Sequence, residues 1–162
     1  MNAQLLEILS ADTQGGALVR REQALLEAGR GLVGDRYHFG TGTFSKQLSG
    51  KPDAQLTLIE DEEIQRFNLN TGLALRAADL RRNLVTRGIR LNDLVGKEFS
   101  VGGAVLKGLR LCEPCAHLAR LANPQVLPGL VHRAGLRAQI LVGAVIQPGD
   151  PIGAVERQPV VS

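Results

Sequence analysis

Leu94–Leu118, LVGKEFSVGGAVLKGLRLCEPCAHL, is the stretch whose reading decides the fold. Glu98–Val101 and Ala104–Leu111 are strand-like runs separated by Gly102-Gly103, a dipeptide suited to a hairpin because glycine enters the positive-φ region freely. The second run leads into the only two cysteines of the chain, Cys112 and Cys115. Pro114 suits a first helical position, where its missing N–H would have had no partner, and Leu118 and Leu121 follow at the interval of a buried helical face. The spacing therefore predicts a strand-to-helix junction with Cys115 in the first helical turn. Backbone N–H groups at such an end carry partial positive charge, which favours thiolate over thiol.

Three readings of the pair compete with a reactive sulfur at Cys115. Free cysteines are commonly small buried apolar residues. A C-x-x-C pair can also be a dithiol redox centre or half of a zinc site. Zinc needs two further ligands, and besides carboxylates the chain offers His38, His117 and His132 and no second C-x-x-C, which argues against a structural zinc. A thioredoxin-like centre needs a βαβ setting, whereas short strands and glycine turns surround this pair.

Composition bounds the answer. The 162 residues suffice for one domain with a real core, read here as 1–162, and 44% hydrophobic with 22% charged residues is the balance of a folded, soluble protein. Nineteen glycines favour turns over long helices. Only 3% of residues are aromatic, which argues against a single-strand nucleic-acid reader that stacks bases. Net charge is +3, and fifteen of the nineteen basic residues are Arg, a bias compatible with an anionic ligand and equally with a GC-rich genome. No apolar run approaches the roughly 20 residues that cross a bilayer, and the first residues lack a secretory pattern, so no membrane partner and a cytoplasmic location are expected.

Outward from the hairpin, Gln4–Leu9 reads as a strand closed by Gly15-Gly16. Ala17–Ala28 fits an amphipathic helix stopped by Gly29 or, over Gln23–Leu26, a strand, and the pattern alone leans to helix. Gly29–His38, GRGLVGDRYH, is an irregular glycine-rich run presenting Asp35, Arg36 and His38, a ligand-facing loop or an ordinary turn. It has the G-x-G-x-x-G spacing without a dinucleotide-binding pattern after it. Gly40–Pro52 reads as a mobile polar loop with the composition to fold over a ligand, and the sequence does not decide whether it acts as a lid. Gln55–Ile59 is a strand, and Glu60–Phe67 a helix ended by Asn70-Thr71-Gly72. Ala77–Leu80 adds a helical turn. Leu84–Thr86 is a strand, and on an extended backbone Arg81 and Asn83 would share one face, where guanidinium and carboxamide together can hold an oxyanion and a heterocycle edge. Val126–Val131 reads as a short broken helix, Leu136–Val142 and Ala144–Ile146 as strands, and Gln147–Asp150 as the turn that closes them. The pattern is mainly β with a few short helices, and suggests a small β-barrel.

In order along the chain, GRGLVGDRYH, RRNLVTRGI, LVGKEFSVGGAVLKGLRLCEPCAHL and VHRAGLRAQILVGAVIQPGDPI resemble the MOSC family, named for the C-terminal domain of molybdenum cofactor sulfurase. The likeness spans roughly Leu5 to Val155. It implies a fold like the pyruvate kinase β-barrel domain, makes Ala17–Ala28 strand and turn, and implies binding of a molybdenum–pterin cofactor (molybdopterin). Pro114-Cys115 matches the P-C motif of relatives, so Cys115 inherits the role of molybdenum ligand or of sulfur carrier. Cys112 matches no required position. Arg81, Arg82 and Asn83 match the cofactor-facing R-x-N strand, and Arg36 and His132 occupy matching neighbourhoods.

Two functions follow from the resemblance. One is a molybdenum-dependent reductase of N-hydroxylated compounds that takes electrons from an external electron-transfer protein. The other is a non-catalytic carrier of persulfide sulfur or of cofactor, acting with a separate cysteine desulfurase. The 162 residues contain no aminotransferase-like stretch, so any pyridoxal phosphate would sit in that partner.

Overall fold

The computed structural model describes residues 3–12, 16–35, 55–113 and 116–155. Its organising feature is the pair β5 (Leu56–Glu60) and β6 (Leu84–Arg87), which run parallel with Leu58 opposite Leu84 and Ile59 opposite Val85. Both strands are buried on both faces. Leu58 and Leu84 belong to one apolar cluster, with Leu5, Ile8, Phe99, Leu106 and Leu136. Ile59 and Val85 belong to another, with Ile64, Phe67, Leu80, Leu118 and Val126. Alternation of period two thus feeds two cores from one pair of strands, which is why both read as continuous apolar runs.

Around this pair lies an eight-stranded mixed sheet. On one side of β5 come β9 (Leu136–Val142), β8 (Ala104–Leu111), β7 (Glu98–Val101) and β11 (Ile152–Ala154). Beyond β6 on the other side come β1 (Gln4–Ser10) and β2 (Val19–Arg21). The hairpin expected at Gly102-Gly103 is present, with Val101 opposite Ala104, and Gly102 takes a φ of 55°. Three further strands, β3 (Ala24–Glu27), β4 (Gly31–Leu32) and β10 (Ala144–Ile146), form a separate small sheet. Ala17–Ala28 is therefore strand and turn, and its Leu26 is fully buried while Leu25 is exposed. The main chain of β1 also bonds the run leading into β11. Leu5 N–H donates to Asp150 O at 2.9 Å, Gly149 N–H to Leu5 O at 2.7 Å, and Ile152 N–H to Ala3 O at 3.0 Å.

The helices lie over the second apolar cluster. α1 (Asp61–Thr71) has three acidic residues in its first turn, buries Ile64 and Phe67, and stops at Gly72, whose left-handed backbone returns an N–H to Asn68 O. α2 (Ala116–Leu121) follows the cysteines and buries Leu118, and α3 (Val126–Gly129) buries Val126. Among the described residues no helix is long and apolar enough to cross a membrane. The loop expected over Gly40–Pro52, together with Arg36 and His38, lies outside the described residues.

One local expectation is corrected. Arg81 and Asn83 do not share a strand face, because the strand begins only at Leu84. Arg81 instead ends the 3-10 turn Ala77–Leu80 with φ 60° and ψ 33°, a left-handed conformation that sends the two side chains to different partners.

Candidate functional site

The turn before β6 spends its side chains on the main chain of its neighbours. Asn83 is buried, and its Oδ1 accepts from both the N–H and the hydroxyl of Thr57, each at 3.1 Å, while Nδ2 donates to Leu9 O at 3.2 Å. One carboxamide thereby fastens β1, β5 and β6 together. Arg81 donates from a terminal nitrogen to Gly16 O at 2.7 Å, beside the chain that links β1 to β2.

Arg82, expected among the cofactor-binding residues, is turned inward. It is 8% exposed; Nε donates to Ala134 O at 2.8 Å, and the two terminal nitrogens donate to Leu80 O at 3.3 Å and Cys112 O at 3.1 Å. The R-x-N turn and the cysteine strand, thirty residues apart, meet through this side chain.

Cys112 lies just past β8 and is 3% exposed. Its N–H donates to Gly135 O at 2.8 Å. Gly135 has a φ of 118°, and a side chain there would collide with the carbonyl oxygen of Leu58, so the approach of this turn to β5 requires glycine. The next residue, Glu113, accepts the His132 N–H at 2.7 Å through one oxygen and meets His132 Nδ1 at 2.7 Å through the other. Residues 112 and 113 are thus anchored to 132–135 immediately before Pro114-Cys115. Pro114 and Cys115 themselves lie outside the described residues, so the helical position expected for the thiol does too.

His132 also borders a cleft of about 480 Å³ between α1, the segment 88–92 and the turn at 132–133. Glu60, at the end of β5, lines it and accepts the Leu91 N–H at 3.3 Å. Burial pushes the Glu60 carboxyl up to about 7, opposed by that hydrogen bond and by Arg90 and reinforced by Glu63 and Glu62. Arg133 pairs with Glu63 at 3.4 Å, and Asn92 donates to His132 O at 2.9 Å. Among the described residues no three His, Cys, Asp or Glu side chains form a group that could hold a metal ion.

Of the sequence-predicted residues, Arg82 and His132 are brought to the cysteine strand, Asn83 and Arg81 sit at the β1 side of the same turn, and Arg36 and Cys115 lie outside the described residues. Sequence reasoning missed Glu113 and the cleft face of Glu60. Glu113 directly precedes Pro114-Cys115, the one signal that could have singled it out.

A family model described as "MOSC domain" matches residues 45–153, more than half of the chain. No curated protein matches it. Among solved structures, the YUAD protein from Bacillus subtilis superposes with a TM-score of 0.77 at 19% identity, covering 94% of each chain. YiiM from Geobacillus stearothermophilus gives 0.69 at 18% identity over 96% of this chain and 76% of that one. YiiM from Escherichia coli gives 0.66 at 18% identity over 100% and 73%. At these identities the likeness is one of fold.

Proposed function

The chain belongs to the MOSC domain family, and from that premise we propose that it binds a molybdenum–pterin cofactor with Cys115 as the protein's thiolate ligand to the metal. High-valent molybdenum accepts a soft thiolate beside the two sulfurs of the pterin. The observation that carries the reading is the sealing of the other cysteine. Cys112 is buried, and both main-chain groups flanking its side chain are engaged. With two cysteines in the chain, Cys115 is the thiol left for the role.

Arg81 and Arg36 are the proposed grips on the cofactor's phosphate, because a guanidinium suits a doubly charged oxyanion. Asn83 shapes the turn that presents Arg81, and His132 lines the cleft in which a substrate would sit. When bound, the cofactor supplies two-electron redox chemistry at its metal. The activity we propose is reduction of N-hydroxylated compounds, which consumes two electrons and two protons and releases water. A separate electron-transfer protein in the cytoplasm would deliver the electrons. We also read the eight-stranded sheet as a barrel like that of the pyruvate kinase β-barrel domain, supported by the hydrogen bonds between Ala3–Leu5 and 149–152.

The test is metal and pterin analysis of protein made in a host that synthesises the cofactor. Wild type should carry molybdenum and pterin together, and Cys115→Ser should lose most of the metal. An empty wild type, or undiminished metal in Cys115→Ser, overturns the reading. If metal-free protein instead gains about 32 Da on Cys115 when incubated with a cysteine desulfurase, the domain is a sulfur carrier.

A further inference from the structure

The small sheet of β10, β3 and β4 turns one face to the core, where Ala24, Leu26 and Ile146 are buried. Alternation of period two ordinarily makes the outward positions of such strands polar. Here the outward pair is Leu25 and Val145, directly opposite each other in the register and 45% and 58% exposed. Val33, 40% exposed, is tied to them, since its N–H donates to Leu25 O at 3.0 Å. With buried Leu32 these side chains line one trough of about 360 Å³, at the small end of the range of ligand pockets. They form a patch, which single scattered apolar exposures do not.

The chain enters β3 through Arg21 and Gln23, and both border the trough. Arg21 Nε donates to the hydroxyl of buried Ser10 at 2.8 Å, which fixes the guanidinium and leaves the edge between its two terminal nitrogens for another partner. Nearby surface arginines are neutralised, Arg20 by Glu7 at 3.7 Å and Arg30 by Glu27 at 3.3 Å. Among the described residues no carboxylate pairs with Arg21 and none lines the trough.

We propose that this trough binds a free aliphatic carboxylate of medium chain length, with the alkyl chain against Leu25, Val33 and Val145 and the carboxylate on Arg21. A planar carboxylate matches the two terminal nitrogens as a bidentate pair, and an apolar tail covers the outward face of the sheet. Three aliphatic side chains are too few for a stable protein partner, whose interface buries on the order of 800 Å² a side. The site uses neither cysteine, so it is independent of the cofactor reading.

Isothermal titration calorimetry of the full chain with hexanoate, octanoate and 1-octanol, below micelle formation, reads both ends of the ligand. Octanoate should bind one molecule per chain with a Kd below about 1 mM. Hexanoate should bind about four- to sixteenfold more weakly, as partial to full burial of the missing methylenes gives. Arg21→Gln should weaken octanoate about tenfold and leave 1-octanol unchanged, with Arg21→Lys between. Val145→Thr puts a hydroxyl in place of one methyl and should weaken octanoate and 1-octanol alike. The proposal is overturned if octanoate does not bind, if hexanoate binds as well as octanoate, or if folded Arg21→Gln or Val145→Thr keeps the wild-type affinity for octanoate. Should Arg21→Gln fail to fold, Val145→Thr and the ratio of hexanoate to octanoate decide. Sedimentation of wild type and Leu25→Asp tests the other occupant: a wild-type dimer that Leu25→Asp dissociates assigns the face to a second copy of the chain and overturns the proposal as well.

Discussion

Glu113 holds His132 twice, accepting its main-chain N–H at 2.7 Å and meeting its Nδ1 at 2.7 Å. His132 is one of two described non-glycine residues with positive φ, at 60°. A left-handed backbone is unfavourable for a residue with a side chain, so something must hold it. Glu113 does so from one side and Asn92, donating to the His132 carbonyl, from the other.

Glu113→Ala should therefore destabilise the fold by about 1 kcal/mol, mostly through the lost acceptor for the His132 N–H, since the imidazole–carboxylate contact is exposed and screened. His132→Gly in that background should recover roughly 0.5 kcal/mol or more by relieving the backbone. Urea denaturation of both variants checks the order. A double variant less stable than Glu113→Ala would show that the contribution lies in the histidine side chain.

Glu60 makes stability depend on pH in a definite direction. Its carboxyl is pushed from 4.5 to about 7 in the folded chain, so between those values the folded state binds the extra proton. Stability from this group is fully present below pH 4.5 and is lost as pH rises through 7. The carboxyl is only partly buried, so solvent screening reduces the effect to the order of 1 kcal/mol. Glu60→Gln keeps an acceptor for the Leu91 N–H and removes the charge. It should be more stable than wild type at pH 8 and nearly equal at pH 5. Parallel urea melts at the two values measure this, and an equal difference at both would exclude Glu60 as the source.

The residues that proved legible in the sequence are those whose position is set by local patterning. Val101 and Ala104 flank a glycine pair, Ile64 and Phe67 lie three apart on α1, and Gly72 ends that helix, each by a rule that acts over a few residues. Arg81, Arg82 and Asn83 were found as a triplet but not in their geometry. An arginine in left-handed conformation carries no local mark, and an arginine that turns inward contradicts the ordinary preference of its type. Glu113 and His132 are separated by nineteen positions, and their pairing depends on β8 and β9 lying side by side. Such a contact exists only after the sheet has formed. The strand Ile152–Ala154 was missed because it is short and finds its partner, β7, across the hairpin.

Gly135 and Gly149 give a matched comparison. Both have positive φ, 118° and 96°, but a methyl group on Gly135 would overlap the Leu58 carbonyl oxygen whereas one on Gly149 would meet nothing within 4 Å. Gly149→Ala should lose about 1 kcal/mol from backbone conformation alone. Gly135→Ala should lose more than about 3 kcal/mol, because the turn must move away from β5 and takes with it the acceptor of the Cys112 N–H. Thermal melts of the two variants test the difference. Equal losses would mean that the turn yields without strain.

Asn83 separates a structural role from a cofactor-facing one. Its carboxamide satisfies two donors of Thr57 and the carbonyl of Leu9 inside the protein. Asn83→Leu leaves these groups unpaired and should destabilise by roughly 3–5 kcal/mol. Asn83→Asp keeps the acceptor for Thr57, but its buried carboxylate faces the Leu9 carbonyl with no proton to donate. Protonation restores that donor, so the folded state raises the carboxyl pKa and the variant should gain stability as pH falls from 8 to 5. Denaturant melts of Asn83→Asp across this range, with wild type as reference, check the sign. A flat difference would place the carboxylate in contact with solvent, and would return Asn83 to the list of side chains free to meet a ligand.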